Sequence, residues 1–372
     1  MCRSGDRRYR MKILLFQTND ASPETLALAR ERERQDVVPM STTFNDRLNV
    51  APIDLRVLRR APALRRCLYA LVPTYVSLAI EAFLLRNEYD VAVTWMEKHS
   101  IIFALLQLFT RKRIPHVALM YWMSKPDVRF LLSLVHPAID KIVTWSSVQQ
   151  DFAIDQMKIP ARKVRLVKHF VDAAFWRPLP DSVVDGETAI CSAGAEMRDY
   201  PTLIEAMRDL PIVCHIAARE VRAVRRIRAK RLSIEEFKAT LPPNVTIRGY
   251  APVELRELYR RSRLVVIPLL PSKTDNGITV ILEAMAMGKT VICSRTEGQK
   301  DAIEDGVTGV LVEPGNADAL RKTIVRLLDS PEEVRRIGDN ARRYILASRH
   351  PLERFTQDVA AAVAETVGDS SK

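Results

Sequence analysis

Asp275-Asn-Gly-Ile-Thr-Val-Ile-Leu-Glu283 runs straight into Ala-Met-Ala-Met-Gly-Lys-Thr-Val-Ile (Ala284–Ile292), between the strand-like runs Leu264–Pro268 and Thr290–Cys293. Strand, loop, helix and strand in about thirty residues form a βαβ unit, the building block of a parallel sheet. The loop that opens the helix carries an acidic residue, then the backbone N–H groups of Asn276 to Thr279, then a second acidic residue eight positions on. Free N–H donors and the positive end of a helix dipole suit a diphosphate. A carboxylate accepts from two neighbouring hydroxyls. In a helix the eight-residue step separates the carboxylates by roughly 12 Å, so one ligand with a phosphate part and a diol part, a nucleotide sugar by its chemistry, is held at both ends. Asp275 is also a good helix cap, a role compatible with ligand binding.

The rhythm extends outward in both directions. Thr188–Ser192, Ile212–Ala217, Val245–Ile247 and Val310–Val312 read as further strands of the second half, and Lys12–Phe16, Asp90–Trp95, Val117–Tyr121 and Lys141–Trp145 as strands of the first. A chain of 372 residues exceeds a single core. The expected architecture is therefore α/β, with two Rossmann-like, doubly wound parallel-sheet domains facing a cleft. The prolines of Phe175-Trp-Arg-Pro-Leu-Pro-Asp181 mark the junction. That gives an N-terminal domain over 1–178, a C-terminal domain over 179–350, and a last helix over 351–372 that could cross back to the first domain.

Composition narrows the function. Eleven of the twelve glycines lie at Gly186 or later, so a phosphate loop belongs to the second half, and neither Gly-x-Gly-x-x-Gly nor a Walker pattern occurs. Five scattered cysteines without Cys-x-x-Cys spacing read as reduced thiols of a cytosolic protein. The net charge of +12 is concentrated in residues 1–180, which hold 28 Lys/Arg against 17 Asp/Glu. An anionic membrane surface, an anionic acceptor and a merely solvated basic face all fit that excess. Nucleic acid is not expected, since no recognition motif for it is present. Residues 53–86 join Arg56, Arg59, Arg60, Arg65 and Arg66 to the apolar run Leu68–Leu85, which Pro73 and Glu81 interrupt. They read either as a buried helix pair or as a basic amphipathic element lying on a bilayer, a peripheral membrane contact.

Several stretches, in order, resemble the retaining GT-B glycosyltransferases of family 4 (group 1 type). They are His169-Phe-Val-Asp172 with Phe175-Trp-Arg-Pro178, Ser192-Ala-Gly-Ala-Glu-Met-Arg198 through Ala206, Gly249 with Leu255–Tyr259, Leu264–Pro268, Asp275–Ile292 and Glu304–Gly315. The resemblance covers about half of the chain. It implies transfer of a sugar from a nucleoside-diphosphate sugar (UDP or GDP) to an acceptor hydroxyl with retention, in glycan, glycolipid or polysaccharide biosynthesis. The acceptor is expected to be anionic or lipid-linked and held by the first domain. A nucleotide-sugar epimerase, or a nucleotide-sugar-binding protein without turnover, remains an alternative.

By the resemblance, Glu283 accepts from the ribose hydroxyls, while Asp275 and the N–H groups of Asn276, Gly277, Ile278 and Thr279 face the donor sugar and diphosphate. Asp275 stands where the family carries Glu. Arg198 falls on the Lys position of the family's cationic pair, and Ala195 on the Arg position. In the first half, Gln17-Thr-Asn-Asp-Ala-Ser-Pro23 replaces the family's Gly-Gly loop, and Ala118-Leu-Met-Tyr121-Trp122 lacks its His. Glu97 and His99, just past a strand, are candidates to line the cleft. No Asp-x-Asp is present, so no metal and no cofactor beyond the donor substrate is expected.

Overall fold

The computed structural model describes residues 11–16, 20–48, 50–178, 189–218, 241–348 and 352–370. The basic leader, Gln17–Asn19 of the first loop, Leu179–Asp181 of the junction and Thr188 lie outside the described residues. Contacts group the chain into two compact units, one within residues 1–30, 41–167 and 356–372, the other within 31–40 and 168–355.

The first unit is a six-stranded sheet of β1 (Ile13–Phe16), β2 (Val50–Ile53), β3 (Val91–Trp95), β4 (His116–Leu119), β5 (Lys141–Thr144) and β6 (Val164–Leu166), in the order β2-β1-β3-β4-β5-β6. Every pair is parallel. Strands covered by helices on both faces must be apolar on both faces, and β1, β3 and β4 are buried along almost their whole length. The two outermost strands carry no unbroken apolar run in the sequence. β2 contains Pro52, tolerated because it lies at the sheet edge, and β6 is only three residues long.

The second unit has β7 (Ala189–Ala193), β8 (Val213–Ala217), β9 (Val245–Arg248), β10 (Leu264–Ile267), β11 (Thr290–Ser294) and β12 (Val310–Val312), in the order β12-β11-β10-β7-β8-β9, again all parallel. The chain winds outward from β7 through β8 and β9, then returns to β10 on the other side. The β7/β10 boundary is therefore the topological switch point, where loops diverge and leave a crevice at the carboxyl ends of the strands.

Pro73 separates the helices Ala63–Tyr69 and Thr74–Leu85. Glu81, buried, accepts from Tyr69 Oη at 2.7 Å and from Arg65 Nη1 at 3.2 Å, which ties the two helices together. Leu64 and Leu71 are nevertheless 76% and 82% exposed. Among the described residues no helix is long and apolar enough to cross a membrane. The last helix, Leu352–Ser370, belongs to the first unit from Thr356 onward, and its Glu365 is 2.7 Å from Arg165 Nη1.

Candidate functional site

The switch point of the second unit gathers residues from four separate stretches. β7 ends at Ala193 and the chain turns at Gly194 with φ +93°, then reaches Arg198. The Arg198 guanidinium folds back: Nε donates to the Ala193 carbonyl at 2.8 Å and Nη1 to that of Glu196 at 2.9 Å. Backbone bonds from Asp199 N to Pro268 O and from Leu270 N to Met197 O stitch this loop to the end of β10. Arg198 is only 6% exposed, not a solvated loop residue.

The loop after β10 supplies the other wall. Gly277, with φ +90°, sits just before the helix Ile278–Ala286. A Cβ there would lie 3.0 Å from Arg198 Nη1 and 3.2 Å from Ile267 Cγ2, and a Cβ at Gly194 would collide with the same guanidinium. Both positions need a residue that accepts positive φ and leaves no side chain in the way. The guanidinium thus lies over two glycines contributed by different loops. It makes no ion pair with a carboxylate among the described residues, and its Nη2 has no protein acceptor.

Asp275 is 4% exposed; Oδ1 accepts from Thr274 Oγ1 at 3.2 Å, and Oδ2 has no partner. Burial pushes its pKa up to about 7, against the opposing pull of its own N–H and the Thr274 hydroxyl. Asn276 is also buried; its Nδ2 donates to Ser272 Oγ at 3.0 Å, and its Oδ1 is unpartnered. Ile278 N is already turned inward, to the Asp275 carbonyl at 3.0 Å.

One turn and a half along the helix, Glu283 Oε2 accepts from Tyr259 Oη at 3.2 Å. Part of the Glu283 side chain reaches the surface, but burial of its carboxyl pushes the pKa up to about 8, which the Tyr259 hydrogen bond and the Arg198 charge only partly offset. Tyr259 is fully buried, its ring 5.6 Å from that of Trp176. At neutral pH Glu283 is therefore mostly protonated and Asp275 about half so, and Arg198 is a buried cation that makes no ion pair among the described residues. Such an arrangement is poised to take up an anion.

The supports of this loop lie where the motifs do not reach. Gln299 is fully buried and donates from Nε2 to the Asn276 carbonyl at 2.8 Å. A Cβ at Gly298 would run into the Thr274 carbonyl and within 2.8 Å of Asp275 N. A glycine next to a buried amide in Thr296-Glu-Gly-Gln299 was the available signal.

The remaining candidates are not part of this cluster. Gly249 is exposed beyond β9, and the sheet order puts it two strands from β7. Glu97 and His99 belong to the first unit. Glu97 opens the helix Glu97–Leu108, and its Oε1 accepts from Tyr121 N at 2.8 Å and Trp122 N at 2.7 Å, so it pins the loop after β4. His99 is buried edge-on against Phe16, with ring centroids 5.1 Å apart, and donates from Nδ1 to the Trp95 carbonyl at 2.9 Å. Burial lowers its pKa. This is the geometry of a core histidine. No group of three or more His, Cys, Asp or Glu able to hold a metal ion occurs among the described residues.

The chain is 27% identical over 241 residues to an MMP alpha-(1->4)-mannosyltransferase of Mycolicibacterium hassiacum, covering 63% of this chain and 58% of that protein. It is 35% identical over 102 residues to an alpha-D-kanosaminyltransferase of Streptomyces kanamyceticus, 27% of this chain and 26% of the relative. The chain thus spans about half the length, or less, of these curated relatives. Among solved structures, Anabaena Alr3699/HepE in complex with UDP and glucose superposes with a TM-score of 0.70 at 18% identity, covering 95% of this chain and 100% of that one. Sucrose-phosphate synthase from Thermosynechococcus elongatus gives 0.70 at 18%, covering 97% and 100%. These neighbours and the two parallel six-stranded sheets make the fold GT-B. Residues 191–344 of this GT-B chain match the family model described as glycosyl transferases group 1.

Proposed function

We propose that the protein is a family 4-type glycosyltransferase that moves a sugar from a nucleoside-diphosphate sugar to an acceptor hydroxyl, with retention at the anomeric carbon. The observation that carries this reading is Arg198, buried over Gly194 and Gly277 at the switch point with no carboxylate paired to it among the described residues. A diphosphate is the anion that fits a guanidinium and a row of loop N–H groups together. Arg198 and the N–H groups of Gly277 and Thr279, on either side of the inward-turned Ile278 N, take the diphosphate. Glu283, held by Tyr259, takes the ribose diol, and Asp275 with Asn276 faces the sugar and the adjoining diphosphate. Charge grows on the departing diphosphate in the transition state, and fixed donors stabilise it there. No metal is assigned a role.

The naming of relatives supports the donor class: one is a mannosyltransferase, and Anabaena Alr3699/HepE was solved with UDP-glucose. The domain scheme 1–178, 179–350 and 351–372 accompanies this reading, with the acceptor carried by the N-terminal domain. There, the exposed Leu64, Leu68 and Leu71 beside Arg59, Arg60, Arg65 and Arg66 suit an anionic, lipid-linked acceptor at a membrane surface.

A thermal-shift panel with UDP-, GDP- and ADP-sugars tests the donor, followed by NMR of the product's anomeric signal. Stabilisation by one nucleotide series and a retained anomer are expected. If no nucleotide stabilises the protein, the reading fails. If donor alone is converted to an epimeric sugar, the enzyme is an epimerase, and if nucleotide binds without any turnover, it is a binding protein.

A further inference from the structure

The second unit has another charged concavity, at the opposite ends of its strands. A cavity of about 320 Å³ is lined by Arg260, Arg261, Arg263, Lys289 and Arg335, with Pro331 beside them. Arg263 immediately precedes β10, and Lys289 precedes β11. The cavity therefore opens at the amino ends of strands whose carboxyl ends carry the Arg198 cluster. Four residues of β10 alone separate the two by about 13 Å.

Helix ends explain part of this charge. Arg260 and Arg261 close the helix Pro252–Arg261, and cations are favourable at that end. The hydrogen bonds show how much remains unbalanced. Among the described residues Glu257 is the single carboxylate involved: it accepts from Arg260 Nε and Nη2, each at 2.6 Å, and from Arg261 Nε at 2.7 Å. Arg260 Nη1 is shut off from solvent with no acceptor. Lys289 Nζ donates to the Arg260 carbonyl at 2.8 Å and Arg263 Nη2 to the Leu328 carbonyl at 3.0 Å, neither to a carboxylate. Arg335 makes no hydrogen bond or ion pair among the described residues. The helix Pro331–Ala347 begins at this cavity, and its Ser330 cap makes no side-chain hydrogen bond.

Five cations share one carboxylate among the described residues, and their repulsion is strongest at Arg260 and Lys289, which solvent screens least, and weaker at the exposed Arg261 and Arg335. Burial, with Arg260 adding to it, already lowers the Lys289 pKa. The net excess is too large for a monoanion, and guanidinium forks match phosphoryl oxygens. A volume near the bottom of the usual range for ligand pockets admits a small molecule.

We propose that this cavity is a second binding site, separate from the donor site, for a small soluble phosphoryl-bearing ligand such as a phosphomonoester or pyrophosphate, gripped by Arg261, Arg263, Lys289 and Arg335.

The test uses the full-length protein and inorganic pyrophosphate at constant ionic strength, read by thermal shift with and without saturating UDP. The wild type is expected to gain about 3 °C or more, saturably, and to keep that gain with UDP present. With UDP saturating the donor site, the R261E/R335E double variant should lose this gain, while its response to UDP stays as in the wild type. R335A, a milder change at an exposed position, should weaken pyrophosphate binding about tenfold and stands in if the double variant does not fold. An absent shift, a shift abolished by UDP, or an equal shift in the variants overturns the proposal. Vesicles containing phosphatidylglycerol form a second arm: if they bind wild type but not R335A while pyrophosphate has no effect, the site is a lipid-headgroup site and the soluble-ligand assignment is wrong. Because pyrophosphate and UDP are read separately, failure of the donor reading leaves this result interpretable.

Discussion

Glu283→Gln separates stability from binding at the donor site, and the two effects have opposite signs. In the folded apo protein the Glu283 pKa is raised from 4.5 to about 8, chiefly by burial of the carboxyl. A raised carboxyl pKa means the folded state holds a proton that the unfolded state has released. Between pH 4.5 and about 8 the folded protein binds more protons, so its stability falls as pH rises through that window. At 1.36 kcal/mol per pH unit, the full rise corresponds to about 5 kcal/mol. That is an upper bound, because part of the side chain reaches solvent and water screens the ionised form. About 2 kcal/mol is the expected effect at pH 9. The glutamine amide keeps an oxygen to accept from Tyr259 Oη but never ionises. E283Q should therefore match the wild type below pH 4.5 and be more stable at pH 9 by several degrees in melting temperature. Nucleotide should stabilise it less, since a carboxylate accepts from both ribose hydroxyls and an amide offers one oxygen. The assay is thermal unfolding from pH 4 to pH 9, with and without UDP. Parallel curves for variant and wild type over that whole range would refute the buried-acid account. A variant that keeps full nucleotide stabilisation would refute the ribose role.

Three other perturbations read different parts of the structure. R198K keeps the charge but loses the fork that spans the Ala193 and Glu196 carbonyls, and kcat/KM should fall by about 10²-fold, measured by steady-state transfer kinetics. G298A pushes a methyl group into the Thr274 carbonyl; displacement of the Asp275 loop should cost about 2 kcal/mol in a urea melt and abolish nucleotide binding. D36A removes the carboxylate that accepts from Arg177 Nη2 at 2.9 Å and Arg256 Nη1 at 2.8 Å. Against burial, which raises it, those two arginines hold the Asp36 pKa below its ordinary value, so its loss leaves Arg256 buried and uncompensated. A destabilisation of about 1–3 kcal/mol is expected, lost as acid protonates Asp36 in the wild type.

How much of this was legible beforehand follows from what burial does to sequence. Strands covered on both faces, such as Leu264–Ile267 and Val91–Val93, stand out as unbroken apolar runs. The edge strands Val50–Ile53 and Val164–Leu166 do not, because one side lacks a neighbour and a proline or a polar residue is tolerated. Arg198 and the Asp275–Thr279 loop were legible because their contacts involve glycines close in sequence or in a motif. Gln299, Gly298 and Tyr259 were not, since each acts on a residue more than twenty positions away. Glu97 and His99 have the right position after a strand, yet backbone N–H groups and a carbonyl claim them first. The near-neutral sum over residues 181–372 concealed the cationic cavity, because helices that distribute Glu and Arg evenly in sequence need not do so in space.

The two raised carboxyls constrain each other once a diphosphate is present. Asp275, at about 7, shares its loop with the N–H groups assigned to the diphosphate. An ionised Asp275 there would repel the phosphates, whereas the protonated acid presents an O–H donor from an oxygen that has no other partner. Glu283, at about 8, has the opposite requirement, since it serves the ribose as an acceptor. Donor affinity should then be bell-shaped in pH, rising as Glu283 ionises and falling as Asp275 does, with both limbs between about 6 and 9. Because burial raises both carboxyls into the same range, only part of the apo population has the correct pair of states, and binding must select it. Asp275→Asn, which is neutral at every pH, should remove the alkaline limb, and Glu283→Gln should remove the acid limb while lowering the plateau. Titration of UDP-sugar by calorimetry across this range decides the matter. An affinity that is flat in pH for the wild type, or an alkaline limb that survives in D275N, would mean that Asp275 does not face the phosphates and that its burial serves the loop alone.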